Sequence, residues 1–318
     1  MSRRALALAT AAATAIGILA TTMPASAAPV PAPAASASSS SRSAADALKS
    51  ARSWVYQLQN YSKGRLDTIA AAKRDVIVID LARDANSNWF RPDEIATLRA
   101  TGAVVLAYFE IGSIEDFRPE LKTVRTKAPD LLANRWSEWP DETFVRYWDQ
   151  RWWDLVIRPR IDQALTAGFD GVYLDTPLAY EEIAPAYTDG RTRDQLATSM
   201  VTLIARISDY GRTQRPGFLT VPQNSPELYK YPGYLPAIDA LAMEELWYEA
   251  TDEPCTATYC TENLKAAQAV HAAGKPVLTV DYAKNPTNIT LACRQSRAAG
   301  FIPYVGPVDL NRIAPPCP

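Results

Sequence analysis

The side chains in this sequence equipped for acid–base and nucleophilic work are carboxylates, and they recur where short apolar runs end. Asp80, Glu110, Asp175, the adjacent pair Glu244 and Glu245, and Asp281 each close such a run. Amides and phenols stand close by. Gln57, Gln59 and Asn60 stand at the end of the first run, Gln223 and Asn224 follow the fifth, and Tyr108, Tyr173, Tyr282 and Tyr304 lie within or beside others. A single carboxylate in such a place is more often a helix cap or an ion-pair partner than a catalyst. Five runs ending in acids are harder to explain that way. Neighbouring buried acids raise each other's pKa values, which lets a protonated acid stand beside an ionised base.

The missing groups narrow the chemistry further. His271 is the sole histidine; it lies in an Ala-rich stretch before Gly274 and reads as structural. With it there, and with no G-x-S-x-G elbow, a Ser-His-Asp triad is excluded. No phosphate-binding or dinucleotide glycine loop follows an apolar run. What remains is the inventory of a glycoside hydrolase, in which one carboxylic acid protonates the leaving oxygen while a second attacks the sugar or activates water. Two rivals stay open. A Mg²⁺-type lyase or phosphodiesterase also uses several carboxylates, and a carbohydrate-binding barrel without activity would keep the aromatics.

The elements that must position these groups come in repeated units. The apolar runs are Trp54–Leu58, Val76–Asp80, Val104–Ile111, Gly171–Asp175, Phe218–Val221, Ala240–Glu244, Val277–Asp281 and Phe301–Val305. Helical spacing lies between them, as in Trp153, Ile157, Ile161 and Leu165, or Leu196, Met200 and Ile204. A small residue plus Gly precedes several runs: Thr101-Gly102, Ala167-Gly168, Ala273-Gly274 and Ala299-Gly300. Glycine accepts the left-handed conformation that closes a helix, so the pattern reads as repeated helix-to-strand turns. Alternating β and α units imply a parallel sheet. Eight of them predict an α/β fold, a single (β/α)8 TIM barrel with the acids at its C-terminal mouth. The alternative, an open doubly wound sheet, lacks the glycine loop after its first strand. About sixty residues separate the third and fourth runs and hold Trp136, Trp139, Trp148, Trp152 and Trp153, so part of that stretch is expected to be an elaborated loop. Trp152 and Trp153 are expected to pack the following helix on the barrel rather than meet sugar.

At the N-terminus, Arg3 and Arg4, the apolar run Ala5–Leu19 and Ala25-Ser26-Ala27 predict a signal peptide over 1–27 and a secreted, extracellular protein. Residues 28–45, rich in Pro, Ala and Ser, read as a disordered linker, leaving 46–318 for the barrel. The formal charge is −2, which argues against nucleic acid as a partner. No segment predicts a membrane span after signal cleavage, and a monomer is expected. The four cysteines suit an oxidising compartment. Sequence proximity pairs Cys255 with Cys260 and leaves Cys293 for Cys317. A zinc site is disfavoured because the spacing is not C-x-x-C, and no cofactor or metal is expected.

Several of these segments also resemble a known family. Trp54-Val-Tyr-Gln-Leu-Gln59, Ala107-Tyr-Phe-Glu-Ile-Gly112, Gly168-Phe-Asp-Gly-Val-Tyr-Leu-Asp175, Met243-Glu-Glu-Leu-Trp-Tyr248 and Val280-Asp-Tyr282 are similar, in order, to the strand motifs of glycoside hydrolase family 114. The likeness runs from about Trp54 to Val305. It implies a (β/α)8 barrel with endo-α-1,4-polygalactosaminidase activity on galactosamine-containing exopolysaccharide. By motif, the family's strand-four aspartate falls on Asp175 and its strand-six glutamate on Glu244. Glu245 follows directly, so the register of that pair stays open. Asp175 is then expected as the ionised carboxylate at the anomeric centre and Glu244 as the acid. Asp80, Tyr108, Glu110, Tyr173, Asn224, Glu245, Trp247, Asp281, Tyr282 and Tyr304 form the expected substrate-binding set. De-acetylated galactosamine is cationic, and an acidic mouth would concentrate such a polymer and repel an anionic one.

Overall fold

The computed structural model describes residues 42–61, 65–249 and 252–318. The expected signal peptide and most of the expected linker lie outside the described residues. The end of that linker is ordered: Ser43 accepts the amide of Asp46 at 3.1 Å and caps a helix over Ala44–Lys49. The described structure thus begins a few residues earlier than the composition suggested.

Eleven strands occur among the described residues. Eight are parallel and build the barrel: β1 (Trp54–Gln57), β2 (Val76–Asp80), β3 (Val104–Glu110), β7 (Gly171–Asp175), β8 (Leu219–Pro222), β9 (Leu241–Glu244), β10 (Val277–Asp281) and β11 (Ile302–Val305). Each coincides with one of the apolar runs to within a residue at either end. The order β1-β2-β3-β7-β8 forms one ladder and β9-β10-β11 another. A single parallel bridge, Gln223 to Ala242, joins them, reinforced by the Asn224 amide donating to the Ala242 carbonyl at 2.8 Å. At the other seam no ladder links β11 to β1; the Trp54 indole donates to the Ile302 carbonyl at 3.0 Å. The result is a (β/α)8 barrel with two soft seams.

The glycine punctuation holds. Gly102, Gly168, Gly274 and Gly300 all have positive φ, from 79° to 89°, where a side chain would be strained. The long gap between β3 and β7 contains a small antiparallel sheet, β4 (Ser113–Glu115), β6 (Glu142–Val145) and β5 (Leu132–Arg135), in that order. Trp152 and Trp153 lie buried after it, as expected: the Trp152 indole donates to the Ile111 carbonyl at 2.9 Å, and Trp153 meets Tyr210 edge-on at 5.6 Å. The helical periodicity around Trp153 is interrupted by a π turn over Trp153–Ile157 before the helix Arg158–Ala167 begins.

The barrel interior is aromatic. Trp54, Tyr56, Tyr108, Tyr173 and Tyr304 are buried, with ring centroids 5.1 Å apart for Tyr56–Tyr173 and 6.3 Å for Tyr108–Tyr173. Aliphatic layers usually fill such barrels. Tyrosines here do the packing and also carry hydroxyls up to the mouth.

Candidate active site

Two of the expected acids converge on one neutral side chain. Gln223, just beyond β8, donates its amide to Asp175 Oδ1 at 3.1 Å and to Glu244 Oε2 at 2.9 Å. Its carbonyl oxygen accepts the hydroxyls of Tyr56 at 3.1 Å and Tyr173 at 2.5 Å. A carboxylate needs a donor, so the two acids and two tyrosines together settle which way the amide points. Tyr108 donates its hydroxyl to Asp175 Oδ2 at 2.7 Å, and the Thr176 amide donates to Oδ1 at 2.7 Å. Tyr282 donates to Glu244 Oε1, and the Glu244 amide donates to Asn224 Oδ1 at 2.9 Å.

Strand parity explains the assembly. On β7, Tyr173 and Asp175 share a face; on β9, Ala242 and Glu244 do. The chain then turns sharply. Thr176, Asn224 and Glu245 have φ of 59°, 60° and 54°, a conformation costly for residues with a Cβ and concentrated where function holds it in place. Past β9 the Glu244 side chain joins the Gln223 and Tyr282 network, and the Glu245 amide donates to the Val280 carbonyl.

Burial acts on both acids. Burial, and then the charge of Asp175, pushes Glu244 up to about 8, so it holds its proton at neutral pH. Burial also raises Asp175, but the Tyr108 hydroxyl and the Thr176 amide oppose this by stabilising its ionised form. Burial thus raises both carboxyls, Glu244 to about 8 and Asp175 against two donors that favour its charged form.

Glu142 went unnoticed in the sequence. It stands on β6, accepts the Ser113 hydroxyl, and is pushed up to about 8 by burial and then by the charge of Asp175. Ser113 and Thr176 are linked at 2.9 Å, and Thr176 Oγ1 accepts the Gly112 amide at 3.0 Å. A Cβ on Gly112 would lie 2.3 Å from the Thr176 carbonyl, so this approach requires glycine.

Other expected residues do different work. Asp80 and Glu110 are buried against Arg118, at 3.0 Å each, and Arg118 also holds Glu115 at 2.6 Å. Arg160 lies 3.5 Å from Glu110. Burial opposes ionisation of Glu110, but Arg118 and Arg160 outweigh it and hold that carboxyl below its ordinary range. These acids are neutralised from within and do not face a ligand as free charges. Asp281 also departs from expectation. With Thr279 it faces the helix layer, where Oδ1 accepts the amides of Trp247 at 2.7 Å and Tyr248 at 2.9 Å. Trp247 donates its indole N–H to Ser296 Oγ at 2.7 Å, and the Tyr304 hydroxyl accepts the Ala314 amide at 3.0 Å. Both are packing residues. Tyr173 donates to Gln223, and Asn224, partly exposed, accepts the Glu244 amide. Arg118 had no signal in the sequence, since an arginine in a loop is ordinarily a solvated charge.

Both cysteine pairs form disulfides, Cys255–Cys260 and Cys293–Cys317, with Cα separations of 5.9 and 5.7 Å. Glu249, Cys255 and Cys260 bring their ligand atoms within 4.8 Å of one another, but the sulfurs are bonded to each other, which removes them as thiolate ligands. His271 meets Phe301 edge-on at 5.7 Å, a packing role.

A parallel eight-stranded barrel with two carboxyls sharing a glutamine at the C-terminal ends of its strands is an arrangement open to glycosidase chemistry. The sequence pattern of glycoside-hydrolase family GH114 matches residues 33–318, and the chain belongs to that family and is a glycoside hydrolase. Among its relatives, a protein of Deinococcus radiodurans is 32% identical over 272 residues, covering 85% of each chain. One of Methanocaldococcus jannaschii is 31% identical over 269 residues, covering 80% of this chain and 75% of its own. The glycoside hydrolase domain of PelA from Pseudomonas aeruginosa superposes with a TM-score of 0.63 at 16% identity, over 82% of this chain and 96% of that one. Aspergillus fumigatus Ega3, solved in complex with galactosamine, gives 0.63 at 18% identity over 83% and 94%. At those identities the two structures speak for the fold.

Proposed function

We propose that the protein is a secreted hydrolase of α-1,4-linked galactosamine-containing polysaccharide, with Asp175 as nucleophile and Glu244 as general acid and then base. The observation that carries this is the sharing of Gln223 by the two carboxyls. Sharing one nitrogen, at 3.1 and 2.9 Å, keeps an oxygen of each acid within about 6 Å of the other, so both carboxyls can reach the same glycosidic bond. In the first step the Asp175 carboxylate attacks the anomeric carbon while Glu244 protonates the departing glycosidic oxygen. In the second, Glu244 takes a proton from water, which displaces Asp175 with a second inversion. Galactosamine bound to the similar Ega3 barrel supports the choice of sugar. The two disulfides and the expected signal sequence support export.

Purified protein tested on galactosamine polymer, its N-acetylated form and pectin, with the anomer of the first product read by NMR, decides the matter. The expected result is cleavage of the amino-sugar polymer with release of the α-anomer. Release of the β-anomer would refute the nucleophile assignment, and no cleavage of any amino-sugar polymer would refute the substrate.

A further inference from the structure

The carboxyl pair and the glutamine between them are each followed by a non-glycine residue in the left-handed region: Asp175 by Thr176, Gln223 by Asn224 and Glu244 by Glu245. Two of these turns are pinned by their own backbone. The Asn224 amide donates to the Ala242 carbonyl and the Glu245 amide to the Val280 carbonyl, both at 2.8 Å, so the next strand of the barrel holds each in place. The Thr176 amide goes instead to Asp175 Oδ1, at 2.7 Å. Thr176 is also the β-branched one of the three, and for such a residue a positive φ is a true outlier. The turn that orients Asp175 therefore has to be held through the Thr176 side chain.

That side chain leads to Glu142. Thr176 Oγ1 accepts the Gly112 amide at 3.0 Å and lies 2.9 Å from Ser113 Oγ, and the Ser113 hydroxyl donates to Glu142 Oε1. Ser113 has one proton to give, so with that proton on Glu142 it accepts from Thr176. All three residues are buried. The register of β4 against β6 sets Ser113 opposite Phe144 and Glu115 opposite Glu142, which puts the serine and both acids on one face of the small sheet. Arg118 is engaged by Asp80, Glu110 and Glu115, and among the described residues no ion pair reaches Glu142.

We propose that Glu142 is a positioning residue for Asp175: through Ser113 it holds Thr176 in its left-handed turn and so keeps the Thr176 amide on Asp175 Oδ1. This rests on the hydrolase reading above and adds to it a third acid, acting at one remove. A buried carboxyl without a cation is costly to keep, and the chain to Thr176 gives it a use. The groups that act on Asp175 are Tyr108, Glu110, Arg118 and, through Gln223, Glu244; those that act on Glu142 are Asp175, Ser113, Glu110, Asp141 and, from β4, Glu115. Glu142 keeps its proton up to about 8, so at acid pH it is neutral and its Oε1 accepts the Ser113 hydroxyl as a carbonyl oxygen does.

The test is kcat and kcat/KM on galactosamine polymer across pH for Ser113→Ala, Glu142→Ala, Glu142→Gln and the double alanine variant, with the melting temperature of each. Ser113→Ala and Glu142→Ala should each lower kcat about ten- to a hundredfold and leave KM within about twofold. The acid limb of kcat/KM should move to higher pH in both, because an amide that favours ionised Asp175 has been released. A variant that merely unfolds in part loses active enzyme and leaves the limb where it was. Glu142→Gln keeps an oxygen for the Ser113 hydroxyl and should restore most of kcat, with the acid limb of the parent. The double alanine variant should be no worse than the poorer single one, since both cut the same chain. If the alanine variants keep kcat within about twofold and the limb in place, or if their losses multiply, the positioning role is refuted while the hydrolase reading stands. Glu142→Gln as poor as Glu142→Ala would refute it as well. If the parent cleaves no galactosamine polymer, both fall together.

Discussion

Two halves of the barrel mouth carry the same residue type at the same strand position and use it differently. At the ends of β2 and β3, Asp80 and Glu110 meet guanidinium groups, Arg118 and Arg160, and become parts of a buried ion-pair cluster. At the ends of β7 and β9, the hydrogen-bond donors to Asp175 and Glu244 are neutral: one glutamine, two tyrosines and the Thr176 amide. The two guanidinium groups hold Glu110 ionised, while burial still raises Asp80 to about 6 beside Arg118. Neutral donors orient a carboxyl and leave its proton affinity adjustable by burial and by a neighbouring acid. The first arrangement holds acids inside the wall of the barrel, and the second leaves a carboxyl pair able to exchange a proton.

The sharpest break of that contrast is removal of the reactive pair. Asp175→Asn should lower kcat on the polymer by more than about three orders of magnitude with little change in melting temperature. Glu244→Gln should be similarly inactive on the polymer but recover much of its first step on an aryl galactosaminide, whose leaving group needs no proton. Because Glu244 sits at about 8, above its ordinary 4.5, the protonated acid is lost as pH rises through about 8. The alkaline limb of kcat/KM should therefore fall there, and Glu244→Asp should move it.

On the other side of the comparison, Arg118→Met strips the cation from three acids in a buried cluster. A loss of about 3–5 kcal/mol in stability is expected from denaturant titration, far more than either active-site substitution costs. Asp80→Asn in the same background should recover part of it.

The balance also sets the response to pH. Asp80 at about 6, Asp281 at about 7, and Glu142 and Glu244 at about 8 are all raised above their unfolded values, in each case chiefly by burial. The folded protein then holds protons the unfolded chain has released, so stability is full at acid pH and falls as pH rises from about 5 to 9. A melting temperature that climbs over that interval would contradict the buried-acid account. The smallest effect concerns the disulfides. Opening Cys255–Cys260, separated by 5 residues, should cost about 2 kcal/mol, and opening Cys293–Cys317, separated by 24, about 3.5 kcal/mol.

The eight strands, the glycine-closed helices and the disulfide pairing were legible in the sequence because each rests on local signals. Apolar runs, a Gly before a strand, and cysteines close in the chain act over a few residues. That Asp175 and Glu244 would meet was legible too, since strand ends in a parallel barrel all reach one mouth. What the sequence could not reveal was which acid would meet which partner. Arg118 reaches Asp80 across 38 positions, and Gln223 stands between acids 48 residues before it and 21 after it. Asp281 ends its strand like the others, yet strand parity turns it to the loop amides, and a one-residue step reverses which face a side chain takes. The antiparallel sheet between β3 and β7 brought Glu142 to Asp175 with no motif to announce it. Residue type and local pattern determined where acids could gather. Tertiary packing alone decided which of them would lose their charge to an arginine and which would keep a proton to give, because that choice depends on through-space distances of a few ångströms between residues far apart in the chain.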